Sequence, residues 1–118
     1  AINACNEAGV KLMTGLQRRF DPNFRRVRTA IENKEVGETI MIKLCSRDPS
    51  PPPFEYVKGG GGIFADMAVH DLDMSRFLAG SDPIDILAVG ACHIDKSIEV
   101  LDGSEAFDTA SCIVRYPN

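Results

Sequence analysis

The stretch GGIFADMAVHDLDMSRFL, residues 61–78, carries the strongest structural signal in this chain of 118 residues. Two glycines open it, and apolar residues then recur up to Leu78, a pattern typical of a largely buried helix. Asp66 and His70 are four residues apart, and Asp73 follows three residues later. A regular α-helix would place all three on one face. Such polar groups require partners, either within the protein or in a bound molecule.

Asp66 and His70 are the first candidates for chemistry. A histidine can take and return a proton near neutral pH, and a carboxylate one helical turn away can orient its ring. This spacing therefore predicts a general base with an orienting partner. The spacing alone slightly favours the alternative, in which the two side chains satisfy each other for structural reasons only.

The composition is that of one globular unit. Hydrophobic residues make up 44% and charged residues 25% of the chain, which are ordinary values. The net charge of -4 argues against a nucleic-acid or anionic-membrane partner. No apolar run approaches the roughly 20 residues of a membrane span, and no secretory signal is visible. Four widely spaced cysteines predict free thiols in a reducing compartment and no zinc site.

The order of elements indicates an α/β (α+β) fold: helix, strand, helix, strand, helix, strand, strand. Gly9 is expected to end the first helix, and Asp21 with Pro22 to begin the second, which would run to Gly37. The helix that carries Asp66 and His70 is expected to end near Gly80. Helices on one face of a sheet of three or four strands would follow from this order. The predicted strands are residues 10–16, 39–45, 84–93 and 106–116, with a turn at 102–103.

Two segments are predicted to be loops. Residues 47–53 contain four prolines, which favours an extended, stiff connection. Residues 58–62 contain four glycines, which favours a mobile loop before the helix. Backbone N–H groups there could face an anion, but the pattern is not the Gly-x-Gly-x-x-Gly dinucleotide fingerprint.

Two other clusters are interpreted conservatively. Five arginines lie close together, either as a solvated helix face, which is favoured, or as contacts to an anionic cofactor or a polyol; they are Arg18, Arg19, Arg25, Arg26 and Arg28. A metal site would have to draw on His70, Asp71, Asp73, His93 and Asp95. Adjacent helical residues point in different directions, so no metal is predicted.

Three segments together resemble one known family. Residues 61–78 fit the pattern Gly-Gly-Ile-Phe-x-Asp-Met-x-x-His-Asp-x-Asp-Met-x-Arg-Phe-Leu, residues 17–22 are QRRFDP, and residues 46–53 are SRDPSPPP. In this order they are similar to the family of glucose–fructose oxidoreductases, inositol dehydrogenases and rhizopine-catabolism proteins (Gfo/Idh/MocA). The resemblance extends along essentially the whole chain and is strongest to the inositol dehydrogenase branch.

The resemblance implies a fold in two parts. Members have an N-terminal Rossmann domain and a C-terminal domain with an open, mainly antiparallel sheet, through which they often assemble. Residues 1–20 would be the tail of the dinucleotide-binding domain with its last strand, and residues 21–118 part of the substrate and oligomerisation domain. The family's glycine fingerprint and Glu-Lys-Pro segment do not occur in these 118 residues. We therefore expect a fragment that is inactive alone.

The resemblance also implies a reaction, the NAD(P)-dependent oxidation of a cyclic polyol or sugar, most closely myo-inositol, at a secondary hydroxyl. On this basis His70 is the general base and Asp66 its partner, while Arg18, Asp73 and Asp48 contact the polyol. NAD, or NADP, would be bound mainly by the upstream domain. A cytoplasmic homo-oligomer is expected. Two alternatives remain: a non-catalytic regulator that senses dinucleotide or sugar, and an oligomerisation module.

Overall fold

A computed structural model describes residues 1–101 and 104–117, with the backbone alone at residues 100, 101, 104 and 105. The described helices and strands are α1 Ile2–Ala8, α2 Pro22–Glu32, α3 Phe54–Gly60, α4 Val69–Ala79, β1 Asp85–Ala91, β2 Val100–Leu101, β3 Ser104–Glu105 and β4 Thr109–Arg115. There are also 3-10 turns at Gln17–Phe20 and Lys96–Ile98 and a π-helical turn at Phe64–Ala68. The turn predicted at 102–103 lies outside the described residues.

The start of α2 is determined by its first residues. Asp21 caps it by accepting hydrogen bonds from the backbone N–H groups of Asn23 (2.8 Å) and Phe24 (3.3 Å), with Pro22 in the first turn. The predicted start is therefore confirmed. The predicted end at Gly37 is wrong, because α2 ends at Glu32.

The end of α2 is made by a residue that is not glycine. Lys34 has a φ of 55°, in the left-handed region. Its N–H donates to the carbonyl of Ile31, and the N–H of Glu35 donates to the carbonyl of Ala30. This is the Schellman arrangement, which satisfies the last carbonyls of the helix before Gly37 is reached. The ends of α1 at Gly9 and α4 at Gly80 follow the expected glycine rule, with φ of 64° and 74°.

Helix α4 packs through Met74 and Leu78, which are four residues apart and almost fully buried. Helix α2 lies beside it. Nη1 of Arg28 donates to the carbonyls of Phe77 (2.8 Å) and Leu78 (3.1 Å) at the end of α4. These carbonyls have no partner within their own helix, so Arg28 fastens the two helices together. Among the described residues, no helix has both the length and the apolar character needed to cross a bilayer.

The strands form antiparallel pairs. β1 pairs with β4 in a register that runs from Asp85 opposite Arg115 to Ala91 opposite Thr109, and β2 pairs with β3. A small core beside them contains Cys92, Ile98 and Ala106, against which Val57 of α3 packs. The antiparallel pairing agrees with the expected α+β class, but the described strands form two two-stranded sheets rather than one larger sheet.

Three sequence predictions differ from the structure. Residues 10–16 and 39–45 form no strand, because no described strand lies beside them to complete a ladder. Ile40 and Met41 in the second of these segments are 95% and 84% exposed. The glycine run is not a simple loop. Its first half ends α3, and only Gly61 and Gly62 turn the chain, with φ of 77° and 73°.

Candidate active-site cleft

The segment that carries Asp66 and His70 is not a uniform α-helix. Asp66 lies in the π-helical turn Phe64–Ala68, and His70 lies in the first turn of α4. A π turn is wider than an α turn, so a spacing of four residues no longer places two side chains directly above one another. Within the described part of the chain, no hydrogen bond joins Asp66 to His70. π turns occur frequently at functional sites.

Asp66 instead accepts a hydrogen bond from Tyr56. The Tyr56 hydroxyl lies 2.8 Å from Oδ1 of Asp66. This hydrogen bond, together with the negative charge of Asp66, raises the pKa of Tyr56. Tyr56 lies on α3, which begins directly after the three consecutive prolines of the predicted loop. This contact was not predicted, because the stretch from Lys58 onward was expected to be mobile.

His70 has an unsatisfied atom. Its Nδ1 is buried and has no hydrogen-bond partner. Leaving a buried polar atom unpaired costs on the order of 1–3 kcal/mol. Such atoms are uncommon in folded proteins and require an explanation, such as a catalytic role or a group that binds there. His70 therefore leaves a buried ring nitrogen unpaired, while its side chain also lines the cleft described next.

Four of the five predicted site residues line one cleft. The cleft has a volume of about 510 Å³. Its lining residues are Arg18, Cys45, Ser46, Arg47, Asp48, Tyr56, Asp66, Met67 and His70. Arg18, Asp48, and the pair Asp66 and His70 come from three different segments of the chain. Asp73 is not part of the lining. The lining is rich in hydrogen-bonding groups, which suits a ligand with many hydroxyls.

Arg18 is held at the edge of the cleft by a small network. Its Nη1 lies 2.6 Å from Oδ1 of Asp71, and the Ser46 hydroxyl donates to the same oxygen at 2.8 Å. These contacts connect the 3-10 turn, the extended segment and α4. The guanidinium has further N–H donors that remain available to a molecule in the cleft.

Asp73 is engaged elsewhere. Its two oxygens accept from Nε (2.8 Å) and Nη2 (2.6 Å) of Arg19, and its side chain is only 9% exposed. The hydrogen bonds that Arg19 donates to Asp73 raise the pKa of Arg19. Arg19 also lies over the ring of Phe77, 5.4 Å from its centre. The contact of Asp73 with a polyol stays a prediction, since both of its oxygens already bind Arg19.

A larger cleft of about 760 Å³ lies at the other end of α4 and contains none of the five predicted site residues. Arginines from the cluster line it, and most of that cluster is ion-paired, including Arg26 with Glu35 and Arg28 with Glu32. In the part of the chain that the structure describes, no three His, Cys, Asp or Glu residues are grouped as metal ligands. All four cysteines are free.

Comparisons with known proteins connect this chain to one family. The sequence profile of the GFO/IDH/MocA C-terminal domain matches residues 24–118. An inositol 2-dehydrogenase from Rhizobium meliloti is 48% identical over 101 residues, covering 82% of this chain and 31% of the relative. A myo-inositol 2-dehydrogenase from Thermotoga maritima is 38% identical over 115 residues, covering 98% and 34%. A solved structure from Sinorhizobium meliloti covers 98% of this chain and 34% of its own, with a TM-score of 0.84 at 44% identity.

The mixed fold of helices and antiparallel strands agrees with these matches. The chain belongs to the Gfo/Idh/MocA family, and its match is to the C-terminal domain of that family. It spans about a third of the length of the relatives described above.

Proposed function

We propose that this chain provides the polyol side of the active site of an NAD(P)-dependent oxidoreductase that oxidises a secondary hydroxyl of a cyclic polyol, with myo-inositol as the first substrate to test. The observation that carries the proposal is the cleft, which Arg18, Asp48 and Asp66 line together with His70. The names of the relatives from Rhizobium meliloti and Thermotoga maritima support inositol as the substrate.

His70 is the proton acceptor in this proposal. Its Nδ1 is buried, so Nε2 is the ring nitrogen available to a hydroxyl in the cleft. As the hydroxyl proton moves to Nε2, electron density on the alkoxide oxygen helps to expel hydride from the same carbon. Acceptance of that hydride is the chemistry that a bound nicotinamide supplies. The described residues fit the alcohol half of this reaction only, and we expect the dinucleotide to be held mainly by residues outside these 118.

Arg18, Asp48 and Asp66 orient the polyol in this proposal. Arg18 donates hydrogen bonds from the N–H groups that Asp71 and Ser46 leave unused. Asp48 and Asp66 accept hydrogen bonds from ring hydroxyls. Donors and acceptors on different sides of the cleft can fix the reacting carbon near His70, which is how orientation lowers a barrier.

Assembly and location form a separate part of the proposal. On one face of the β1–β4 sheet, Leu87, Val89 and Ile113 are apolar and more than half exposed. An apolar sheet surface of this kind supports association with further sheet or with a second copy. Light scattering of the gene product on a sizing column would test whether it is an oligomer. The four free cysteines support a reducing compartment such as the cytoplasm.

The experiment is a rate measurement on the complete gene product that carries this chain. We expect reduced nicotinamide to appear, followed at 340 nm, when myo-inositol is added with NAD or NADP, and stereoisomers and simple sugars complete the panel. Arg26→Gln, at an exposed ion pair distant from the cleft, is the matched control and should keep the wild-type rate. Binding of polyol without any reduction would instead support the sensing alternative.

A further inference from the structure

Tyr56 has a position that the proposed reaction does not yet use. It lines the cleft, and its hydroxyl donates to Oδ1 of Asp66 at 2.8 Å. The helix that carries it, α3, has no buried residue and meets the nearby core through Val57. The hydrogen bond to Asp66 is therefore a notable polar link between α3 and the π turn.

The chain path shows how this contact is made. Tyr56 and Asp66 are ten residues apart, and one continuous α-helix would separate them by about 15 Å along its axis. The turn at Gly61 and Gly62, both with positive φ, reverses the chain between α3 and the π turn. A Cβ on Gly61 would lie 3.0 Å from Cβ of Ala65, so the turn also needs the small residue. The glycine pair thus brings the phenol back onto the carboxylate.

We propose that Tyr56 is a positioning residue for substrate recognition, holding the carboxylate of Asp66 so that its other oxygen can accept a hydrogen bond from a polyol hydroxyl. This inference rests on the proposed function. Asp66 is exposed, and without a partner its side chain would sample several rotamers. Restricting it before the substrate arrives removes part of the entropy cost of binding.

The electrostatics support a donor role for Tyr56. The charge and hydrogen bond of Asp66 raise the pKa of the phenol, so Tyr56 stays protonated at neutral pH and continues to donate. Tyr56 therefore acts through Asp66 rather than by exchanging a proton with the substrate.

The kinetic test uses Tyr56→Phe, Asp66→Asn and the double variant in the complete gene product. Loss of one hydrogen bond to a charged group should raise KM for the polyol about tenfold in Tyr56→Phe, with kcat within about twofold and an unchanged pH profile. In the Asp66→Asn background, Tyr56→Phe should add little, because the two residues act as one unit. An unchanged KM, or fully additive effects, would overturn the proposal.

Tyr116→Phe is the matched control. Tyr116 is the other tyrosine of this chain, and its hydroxyl is hydrogen-bonded to Ser75 at 2.7 Å, so the same atom is removed outside the cleft. KM for the polyol should stay at the wild-type value. If Tyr116→Phe raised KM as much as Tyr56→Phe, the effect would not depend on Asp66 and the proposal would fall.

A second measurement needs no substrate. With 3-fluorotyrosine at position 56, the ¹⁹F signal follows the ionisation of the phenol, and Asp66→Asn should lower its apparent pKa. If this substitution leaves the titration unchanged, the contact does not form in solution and the proposal is overturned, whatever the activity. If the titration shifts but no polyol binds, the proposed function fails, and the role in polyol recognition fails with it.

Discussion

The two halves of the helical segment from Phe64 to Ala79 differ in how completely their polar side chains are hydrogen-bonded. In the paired half, residues 71–79, Asp71 is held by Arg18 and Ser46, and Asp73 by two N–H groups of Arg19. In the open half, residues 64–70, Asp66 has one hydrogen bond from an exposed tyrosine, and His70 has a buried nitrogen with none. We infer from this comparison that the fully hydrogen-bonded groups hold the fold, whereas the groups with few partners are the candidates for chemistry.

The largest effect is expected at His70, in the open half, where a substitution should change activity far more than stability. Replacing His70 by Ala should lower kcat of the complete gene product by about 10²–10⁴-fold, because the proposed proton acceptor is lost. The free energy of unfolding should change by less than about 1 kcal/mol, since Nδ1 makes no hydrogen bond to lose. Initial rates and urea titrations measure the two quantities.

The control for that substitution is His93→Ala. His93 is the other histidine of the chain and its side chain is exposed. Its replacement should leave kcat at the wild-type value. Near-native turnover by His70→Ala, or an equal loss in both variants, would remove the distinction between the open and the paired half.

In the paired half we expect the reverse outcome. Replacing Arg19 by Met leaves the carboxylate of Asp73, 9% exposed, without its partner. This should lower the free energy of unfolding by about 2 kcal/mol, with kcat per folded molecule within about twofold of wild type. Arg19→Lys should recover only part of the stability, because lysine cannot make the two-point contact. A loss of turnover at unchanged stability would place Arg19 among the functional residues.

Asp108 tests whether a fully hydrogen-bonded carboxylate also stabilises the fold outside this helical segment. Its carboxylate accepts from the backbone N–H groups of His93, Ile94 and Asp95 and from the hydroxyl of Thr109. Burial alone would raise the pKa of Asp108, but these hydrogen bonds outweigh it and hold the pKa well below its ordinary value. A pKa lowered by folding adds stability above the unfolded value of about 3.9 and withdraws it as the pH falls below that.

Asp108→Asn should therefore flatten the acid side of the stability profile. At neutral pH we expect a loss of about 1–2 kcal/mol, which shrinks as the pH is lowered through 4 because the wild type loses its own advantage there. Urea titrations between pH 3 and pH 7 measure both proteins. A parallel pH dependence in the two would mean that this carboxylate does not stabilise the fold through its charge.

The smallest expected effect measures how much an exposed ion pair contributes to the free energy of unfolding. Arg76 and Asp82 form an ion pair at the end of α4, with Nε 2.5 Å from Oδ1, but their side chains are 55% and 76% exposed. Arg76→Gln should change the free energy of unfolding by less than about 0.5 kcal/mol, and less still at high salt. A change as large as that of Arg19→Met would show that burial is not what distinguishes the two pairs.

Much of the fold follows from local sequence. The start of α2 at Asp21–Pro22, the ends of α1 and α4 at glycines, and the strands β1 and β4 were all predicted, because capping, φ preference and alternation are local effects. The strand predicted at 39–45 is absent from the structure. A strand forms only beside a neighbouring strand, and local sequence does not show where that neighbour lies. The loop predicted at residues 58–62 was partly wrong for a similar reason. Helix α3 extends to Gly60, and its Val57 packs on a core formed by residues far along the chain.

The residues of the candidate site could be predicted better than the contacts between them. Arg18, Asp48, Asp66 and His70 were named from the sequence, and the structure brings them to one cleft. The expected contact between Asp66 and His70 was derived from α-helical geometry, and the π turn replaces it with the contact between Asp66 and Tyr56. No local signal distinguishes a π turn from an α turn here. The contact of Tyr56 with Asp66 could have been expected only if a helix had been predicted at residues 54–60.

The π turn has a consequence for how this segment can vary in length. A π turn accommodates one residue more than the α turn it replaces. Deleting Ala65 would let the segment close into an ordinary α-helix while the residues on either side of the turn keep their relative orientation. Asp66 lies inside this turn, so the deletion would redirect its side chain and disturb its hydrogen bond with Tyr56. We therefore expect the fold to tolerate a one-residue deletion within Phe64–Ala68, at the cost of the contact between Asp66 and Tyr56.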